Sequence, residues 1–263
     1  MSEHIAERVA REYRECTVMS LPDYGGHPLW REVQALTAQL RGKDMLSGIK
    51  KAVFFGAHTD DEFICAGTLH RLACAGCEVH VVTFGPAATK DDRRGTYVSS
   101  EIVLPEWHQS LDVIGIRQEH RQFHGMRDGY LPSAEMPKFA EEICQDVYDY
   151  CESVKPDLAL ILSPHDENTA HAVVGVACER VMRGRVAHVW RCLFPWNFST
   201  DKPNLYVKLE SEDMEAKRAV INCYQSQKFR YDYESILMHY AVADGLAVKV
   251  PAAEKFEVVR SVV

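Results

Sequence analysis

The chain has 263 residues, 46% of them hydrophobic and 26% charged, enough for one large domain with a sizeable core. A net charge of −8 leaves no basic stripe for a phosphate backbone, and the nearest run, "KDDRR" (Lys90 to Arg94), is short and diluted by two acids, so no nucleic-acid partner is expected. No apolar run approaches the roughly 20 residues that span a bilayer, and the charged, amphipathic N-terminus lacks a secretory apolar segment, so no membrane is expected either.

Read in chain order, residues 1–48 form a helical extension. "SEHIAERVAREYREC" and "LWREVQALTAQL" both carry apolar residues at helical spacing. A rhythm of strands and helices follows. "AVFFGA" predicts a buried strand, "FICAGTLHRLACAG" a helix ended by Gly76, and "EVHVVTFG" a second strand. A polar loop covers 86–101. "LPEWHQSLDVIG" predicts a helix ended by Gly115, and "RQFHG" a short strand. "SAEMPKFAEEICQDVYDYCESV" is mostly helical, with Pro137 at the first helical position. "DLALILS" is a strand, "TAHAVVGVACERVMRG" a helix and "RVAHVWRCLF" a strand. "DMEAKRAVINCYQSQ" and "YESILMHYAVADG" add two C-terminal helices. Strands that are apolar on both faces and alternate with helices imply an α/β fold: a Rossmann-like, doubly wound, mainly parallel sheet with helices on both faces, plus N- and C-terminal helical additions.

Nine cysteines without a disulfide-framework spacing point to reduced thiols and a cytoplasmic location. "CAGC" (Cys74 to Cys77) has redox spacing but follows a helix instead of opening one, so a structural role is expected.

Ligands of open α/β sheets bind beyond the carboxyl ends of the strands. Two polar clusters fall there: "HTDDE" after "AVFFGA", and "SPHDENTAH" after "LALIL". His58 and Asp61, three residues apart at a strand-to-helix turn, can converge with His171 on one point. Two imidazoles and a carboxylate make a three-ligand metal site with an open position, and its charge would offset the repulsion among the crowded acids. Asp60 is then left beside the metal-held water as a general base. The bland alternative is that Asp60 or Asp61 caps the helix near Phe63 while His58 is an ordinary hydrogen-bonded strand-end residue. His165 competes with His171 as a ligand on spacing alone.

The residues also resemble a known family. "GAHTDDEFICAGTLHRL" is similar to the A-H-P-D-D-E motif of the LmbE-like, or PIG-L, family of zinc-dependent N-acetylglucosaminyl deacetylases. Matches to that family then recur in order: "GCEVHVVTFG", Glu106 with "VIGI", "DGYL", "KPDLALILSPHDENTAH" and "CYQSQ". The resemblance covers about residues 50–228 and implies one deacetylase domain over 1–263, with 229–263 as a C-terminal addition. It implies His58, Asp61 and His171 as zinc ligands, with other divalent metals also acceptable to such a set. It makes Asp60 the general base and Asp166 a partner that orients His171. The implied reaction is hydrolysis of an N-acetyl or N-acyl group on an amino sugar or small glycoconjugate. The implied partner is that small molecule, in a chain that can form a homo-oligomer.

Departures from the family pattern stand at five positions, among them Pro86, which breaks the usual G-E pattern of the loop after the second strand. Thr59 replaces a proline. Asn168 replaces a histidine and can donate a neutral hydrogen bond to an oxyanion but no proton. Val103 stands where an arginine is common, and Tyr224 replaces the histidine of H-x-S-Q. Arg93, Arg94, Asp128, His124 and Tyr224 are candidate substrate contacts, and Trp190 and Trp196 are the better of four candidate stacking rings. The rival readings are an amidase for a non-sugar N-acyl substrate and a non-catalytic sugar-binding member.

Overall fold

A computed structural model describes residues 16–18, 46, 48–91, 96–125, 133–197 and 202–262. In chain order the strands are β1 (Cys16–Val18), β2 (Lys51–Gly56), β3 (Glu78–Thr83), β4 (Thr89–Asp91), β5 (Thr96–Val98), β6 (Arg121–Phe123), β7 (Leu158–Leu162), β8 (His188–Cys192), β9 (Leu205–Lys208) and β10 (Ala253–Ser261). The α-helices are α1 (Ala66–Cys74), α2 (Ser100–Ile114), α3 (Ala140–Val154), α4 (Thr169–Met182), α5 (Ser211–Cys223) and α6 (Tyr233–Ala247).

The apolar runs decide the middle of the sheet. Every residue of β7 is buried, as are all but the first of β2 and of β3. Strands buried on both faces sit at the centre of a parallel sheet. Accordingly β8, β7, β2, β3 and β6 run parallel in that spatial order. The chain leaves β2 in one direction through β3 to β6, then returns through β7 to β8. Right-handed crossovers in opposite directions lay their helices on opposite faces. α1, α2 and α5 pack as one layer, and α3 and α4 as the other. The reversal falls between β2 and β7, the switch point at which ligands bind.

The expected mainly parallel sheet is therefore what the chain forms. Its far edge differs from expectation. β10 pairs antiparallel with β8, β9 with β10, and β1 with β9. The C-terminal addition thus contributes a strand to the main sheet as well as a helix. β1 lies inside the stretch read as helical, whose other calls fall outside the described residues up to position 45. The 86–101 loop contains the hairpin β4–β5. Pro137 lies inside a 3-10 turn, Ser133–Phe139, and the α-helix begins only at Ala140. Cys74 is exposed and Cys77 half-buried, both as free thiols at and just beyond the end of α1.

Two glycines place the site. A Cβ on Gly56 would lie 2.9 Å from the Phe54 ring and 3.3 Å from the Asp61 Cβ, so the turn after β2 closes only around glycine. A Cβ on Gly175 would meet the Leu162 carbonyl at 2.6 Å, so α4 rides directly on the backbone that leaves β7.

Candidate metal centre and active-site cavity

Beyond β2 the chain turns sharply. Asp61 folds back on that turn, and its Oδ2 accepts the Ala57 N–H at 2.7 Å and the His58 N–H at 2.8 Å. This settles the capping question, because the Asp61 carboxylate closes the turn behind it and Asp60 makes no side-chain cap to the 3-10 segment Asp61–Cys65. The other Asp61 oxygen is left facing outward. Beyond β7, Asn168 caps α4 by accepting the Ala170 N–H on its side-chain oxygen at 3.0 Å, which leaves its amide nitrogen for other use. His171, one turn in, faces the β2 turn.

Three donor atoms meet there. His58 Nδ1 lies 3.2 Å from His171 Nε2. Asp61 Oδ1 lies 3.1 Å from His171 Nε2 and 3.7 Å from His58 Nδ1. Behind His171, Nδ1 meets Asp166 Oδ2 at 3.0 Å. Asp166 is itself held by the Asn168 N–H at 2.7 Å, by Asn197 Nδ2 at 2.9 Å and by Trp196 Nε1 at 3.4 Å. A carboxylate behind a ligating imidazole fixes its tautomer and orientation. His165 is exposed and stands outside the cluster, which His171 joins.

The electrostatics separate the two neighbouring aspartates. Burial, reinforced by the charge of Asp61, pushes the Asp60 carboxyl up to about 6, despite His58, Arg230 and His171. Burial by itself would raise Asp61 too, but the charge of His171 and hydrogen bonds from both histidines hold it well below the usual range. Without an ion, burial of His171 is outweighed by Asp61 and Asp166, and its pKa rises to about 10.

The centre opens into a cavity of about 580 Å³, walled by Phe63, Asn168, Phe194, Trp196, Arg230 and Tyr233 among others. Phe194 stacks on Trp196 at 4.6 Å and approaches the His171 ring at 4.9 Å, continuing the wall outward. The Thr59 hydroxyl accepts the Ala87 N–H at 2.9 Å and ties the Pro86–Ala88 wall to the metal turn. Trp196 lines the cavity. Trp190 and Trp107 are core, and Trp30 lies outside the described residues.

Other expectations meet a different outcome. Tyr224 does not line the cavity. It is 2% exposed, and its hydroxyl donates to Glu62 Oε1 and meets Ser110 Oγ at 2.9 Å. A phenol in a site packed by Phe63 and Glu62 spends its polar end inside the protein, so this substrate-contact expectation is corrected. His124 pairs with Asp146 at 3.1 Å and stacks on Phe84, away from the cavity lining. Arg93, Arg94 and Asp128 lie outside the described residues. Sequence reasoning missed Arg230, Tyr233 and Asn197. They follow no strand of the parallel set closely enough for the edge rule to find Arg230 or Tyr233, although Asn197 stood in the quoted "CLFPWNF" stretch.

Among the described residues a second group, Glu78, His80 and His120, brings three donor atoms within 4.8 Å at the opposite edge of the sheet. Lys51 already pairs with Glu78 at 3.1 Å, Arg117 with His120 at 2.9 Å and Tyr150 with His80 at 2.9 Å. Those partners account for the group.

Residues 53–182 match the sequence model of the PIG-L family, described as GlcNAc-PI de-N-acetylase. No curated protein matches the chain in sequence. Several solved structures share its fold. An N,N'-diacetylchitobiose deacetylase from Pyrococcus horikoshii, complexed with an inhibitor, is 17% identical with a TM-score of 0.64, over 90% of this chain and 94% of that one. The A40926 pseudoaglycone deacetylase Dbv21 is 16% identical with a TM-score of 0.64, over 81% and 99%. GalB, a 4-carboxy-2-hydroxymuconate hydratase from Pseudomonas putida, is 17% identical with a TM-score of 0.64, over 81% and 98%.

Proposed function

Because residues 53–182 match the PIG-L family model, we propose that the chain is a metal-dependent hydrolase that removes an N-acetyl or other N-acyl group from an amino sugar or small glycoconjugate. The observation that carries this reading is the convergence of His58 Nδ1, Asp61 Oδ1 and His171 Nε2 at 3.1–3.7 Å, beside a buried, otherwise unassigned Asp60. Tetrahedral ligands at zinc distances of 2.0–2.1 Å stand about 3.3 Å apart, so the donor set fits a zinc-sized ion. His58, Asp61 and His171 would hold it. A divalent ion bound there supplies Lewis-acid polarisation of a carbonyl oxygen and a water of lowered pKa.

The protein's own groups do the rest. Asp60, raised toward neutrality by burial, takes a proton from the attacking water on its carboxylate and returns it to the departing nitrogen. Asn168 offers its amide N–H to the developing oxyanion, a neutral donor in place of an imidazolium. Asp166 keeps the His171 ring turned toward the centre. Phe194, Trp196 and Phe63 exclude bulk water and strengthen each of these interactions.

Acetate release from a panel of N-acetylated amino sugars, with and without chelator, tests the reading. Release that stops on chelation and returns with zinc supports it. Release indifferent to chelator and retained by Asp60→Asn rules it out. The same fold carries a hydratase in GalB, and Asn168 removes the imidazole acid, which favours a second reading: an amidase for a non-sugar N-acyl substrate. Turnover of a simple N-acyl amide beside silence on every acetylated sugar selects it.

A further inference from the structure

Arg230 is the one arginine or lysine side chain lining the cavity among the described residues. Its base is firmly built. The Arg230 N–H donates to the Gln227 carbonyl at 3.0 Å. Gln227 is fully buried, and its Nε2 donates to the Ala87 carbonyl and to Ser226 Oγ, both at 3.1 Å. Glu106 holds Ser226 by its backbone N–H at 2.9 Å and by its hydroxyl at 2.5 Å. Arg230 therefore springs from a segment tied both to α2 and to the Pro86–Ala88 wall.

Arg230 is half-buried, yet no carboxylate of the described residues comes within ion-pair distance of its guanidinium. The Tyr233 phenol lies beside it in the cavity wall. A planar cation with five N–H groups, set beside a phenol, lacks its natural bidentate acceptor. Arg230 lowers the Asp60 pKa only through space, without an ion pair to it, so its N–H groups stay available to a ligand. The cavity is also far roomier than an acyl group requires, within the range of about 300–1,000 Å³ that holds a whole small ligand. Tyr231 and Tyr233, 5.7 Å apart edge to face, extend the wall beside Arg230 toward solvent.

We propose that Arg230 reads an anionic group, carboxylate or phosphate, that the substrate carries beyond its N-acyl end. The substrate is then an acidic conjugate in preference to a neutral sugar. This inference rests on the hydrolase reading above and names its substrate class.

The test uses the zinc-loaded chain with N-acetylglucosamine, its 1-phosphate, its 6-phosphate and N-acetylmuramate, which separate the phosphate and carboxylate sources. At least one acidic substrate is expected to exceed the neutral sugar by about tenfold or more in kcat/KM, the worth of one charge-assisted bidentate contact. Arg230→Gln is expected to lose that advantage through KM, and Arg230→Lys to recover part of it. A wild type that prefers the neutral sugar, or an Arg230→Gln loss of kcat that is equal on acidic and neutral substrates, overturns the proposal. Titration calorimetry with glucosamine and its two phosphates, and with muramate, separates the two claims. Tighter Arg230-dependent binding of an acidic amine without acetate release from any substrate sinks the hydrolase reading alone. Acetate release with no acidic preference in binding or turnover sinks the Arg230 assignment alone.

Discussion

Asp60 and Asp61 are chemically identical neighbours in different surroundings. Asp61 receives two backbone N–H bonds from its own turn and stays ionised. Asp60 receives none from that turn and is lifted to about 6 by burial and by its neighbour. Under the proposed mechanism, this separation suits Asp61 to binding and Asp60 to proton transfer. Asp60→Asn is accordingly expected to lower kcat by about 10²–10⁴-fold. Zinc per chain, read by elemental analysis, should remain at the wild-type value. Asp166 acts through His171, so Asp166→Ala should weaken zinc affinity about 10–100-fold with the circular dichroism spectrum intact. Competition against a fluorescent chelator measures it, and an unchanged affinity would mean that Asn197 and Trp196 alone hold the ring.

Two elements carry the site on unusual packing. α4 lies so close to the exit of β7 that Gly175 has backbone atoms within 2.8 Å of where a Cβ would stand. Gly175→Ala must shift the helix, which is expected to cost about 1–3 kcal/mol of stability. It should also loosen zinc binding, because His171 moves with the helix. Behind the 3-10 segment, Lys217 Nζ donates to the Phe63 and Ile64 carbonyls at 2.8 Å and to Glu254 Oε1 at 2.7 Å. Glu254 also accepts the Gly67 and Thr68 N–H groups at the start of α1. Lys217 and Glu254 are 2% and 4% exposed, so α5 and the late strand β10 clamp the segment that follows Asp61. Lys217→Met strands a buried carboxylate, and urea unfolding should show a loss of about 3–5 kcal/mol at an unchanged m-value.

For the whole molecule, the proposed metal loading is expected to be coupled to protonation. In the ion-free chain His171 is raised to about 10, so it is charged at neutral pH and must lose its proton to ligate. Its folded value lies above the unfolded value near 6.5. The proton therefore stabilises the ion-free chain fully below that unfolded value, and its contribution fades as pH rises through about 10. Zinc titration at pH 7 to 8, in buffers of different ionisation enthalpy, should release about one proton, with affinity climbing as pH rises. Release near zero would show that His171 is already neutral. No helix among the described residues is long and apolar enough to cross a membrane.

The centre of the sheet was legible in the sequence because burial on both faces leaves a local mark: "AVFFGA" and "LALIL" are apolar without alternation, and their order places the two polar clusters at one edge. The antiparallel edge was not legible. β9 is short, and β10, "AEKFEVVRS", mixes charges with apolar residues because much of it stays near solvent. The metal-ligand candidates were legible by type, but His165 and His171 were equivalent until α4 buried one and left the other exposed. Tyr224 and Arg230 exchanged expectations for the same reason. The backbone after α5 turns the phenol inward onto Glu62 and, six residues on, delivers the guanidinium to the cavity. Local composition determines which segments must be buried and which chemistry sits at their ends. The different surroundings of Asp60 and Asp61 and the delivery of Arg230 to the cavity depend on backbone N–H groups and long-range contacts, such as Glu106 with Ser226, that only the tertiary structure brings together.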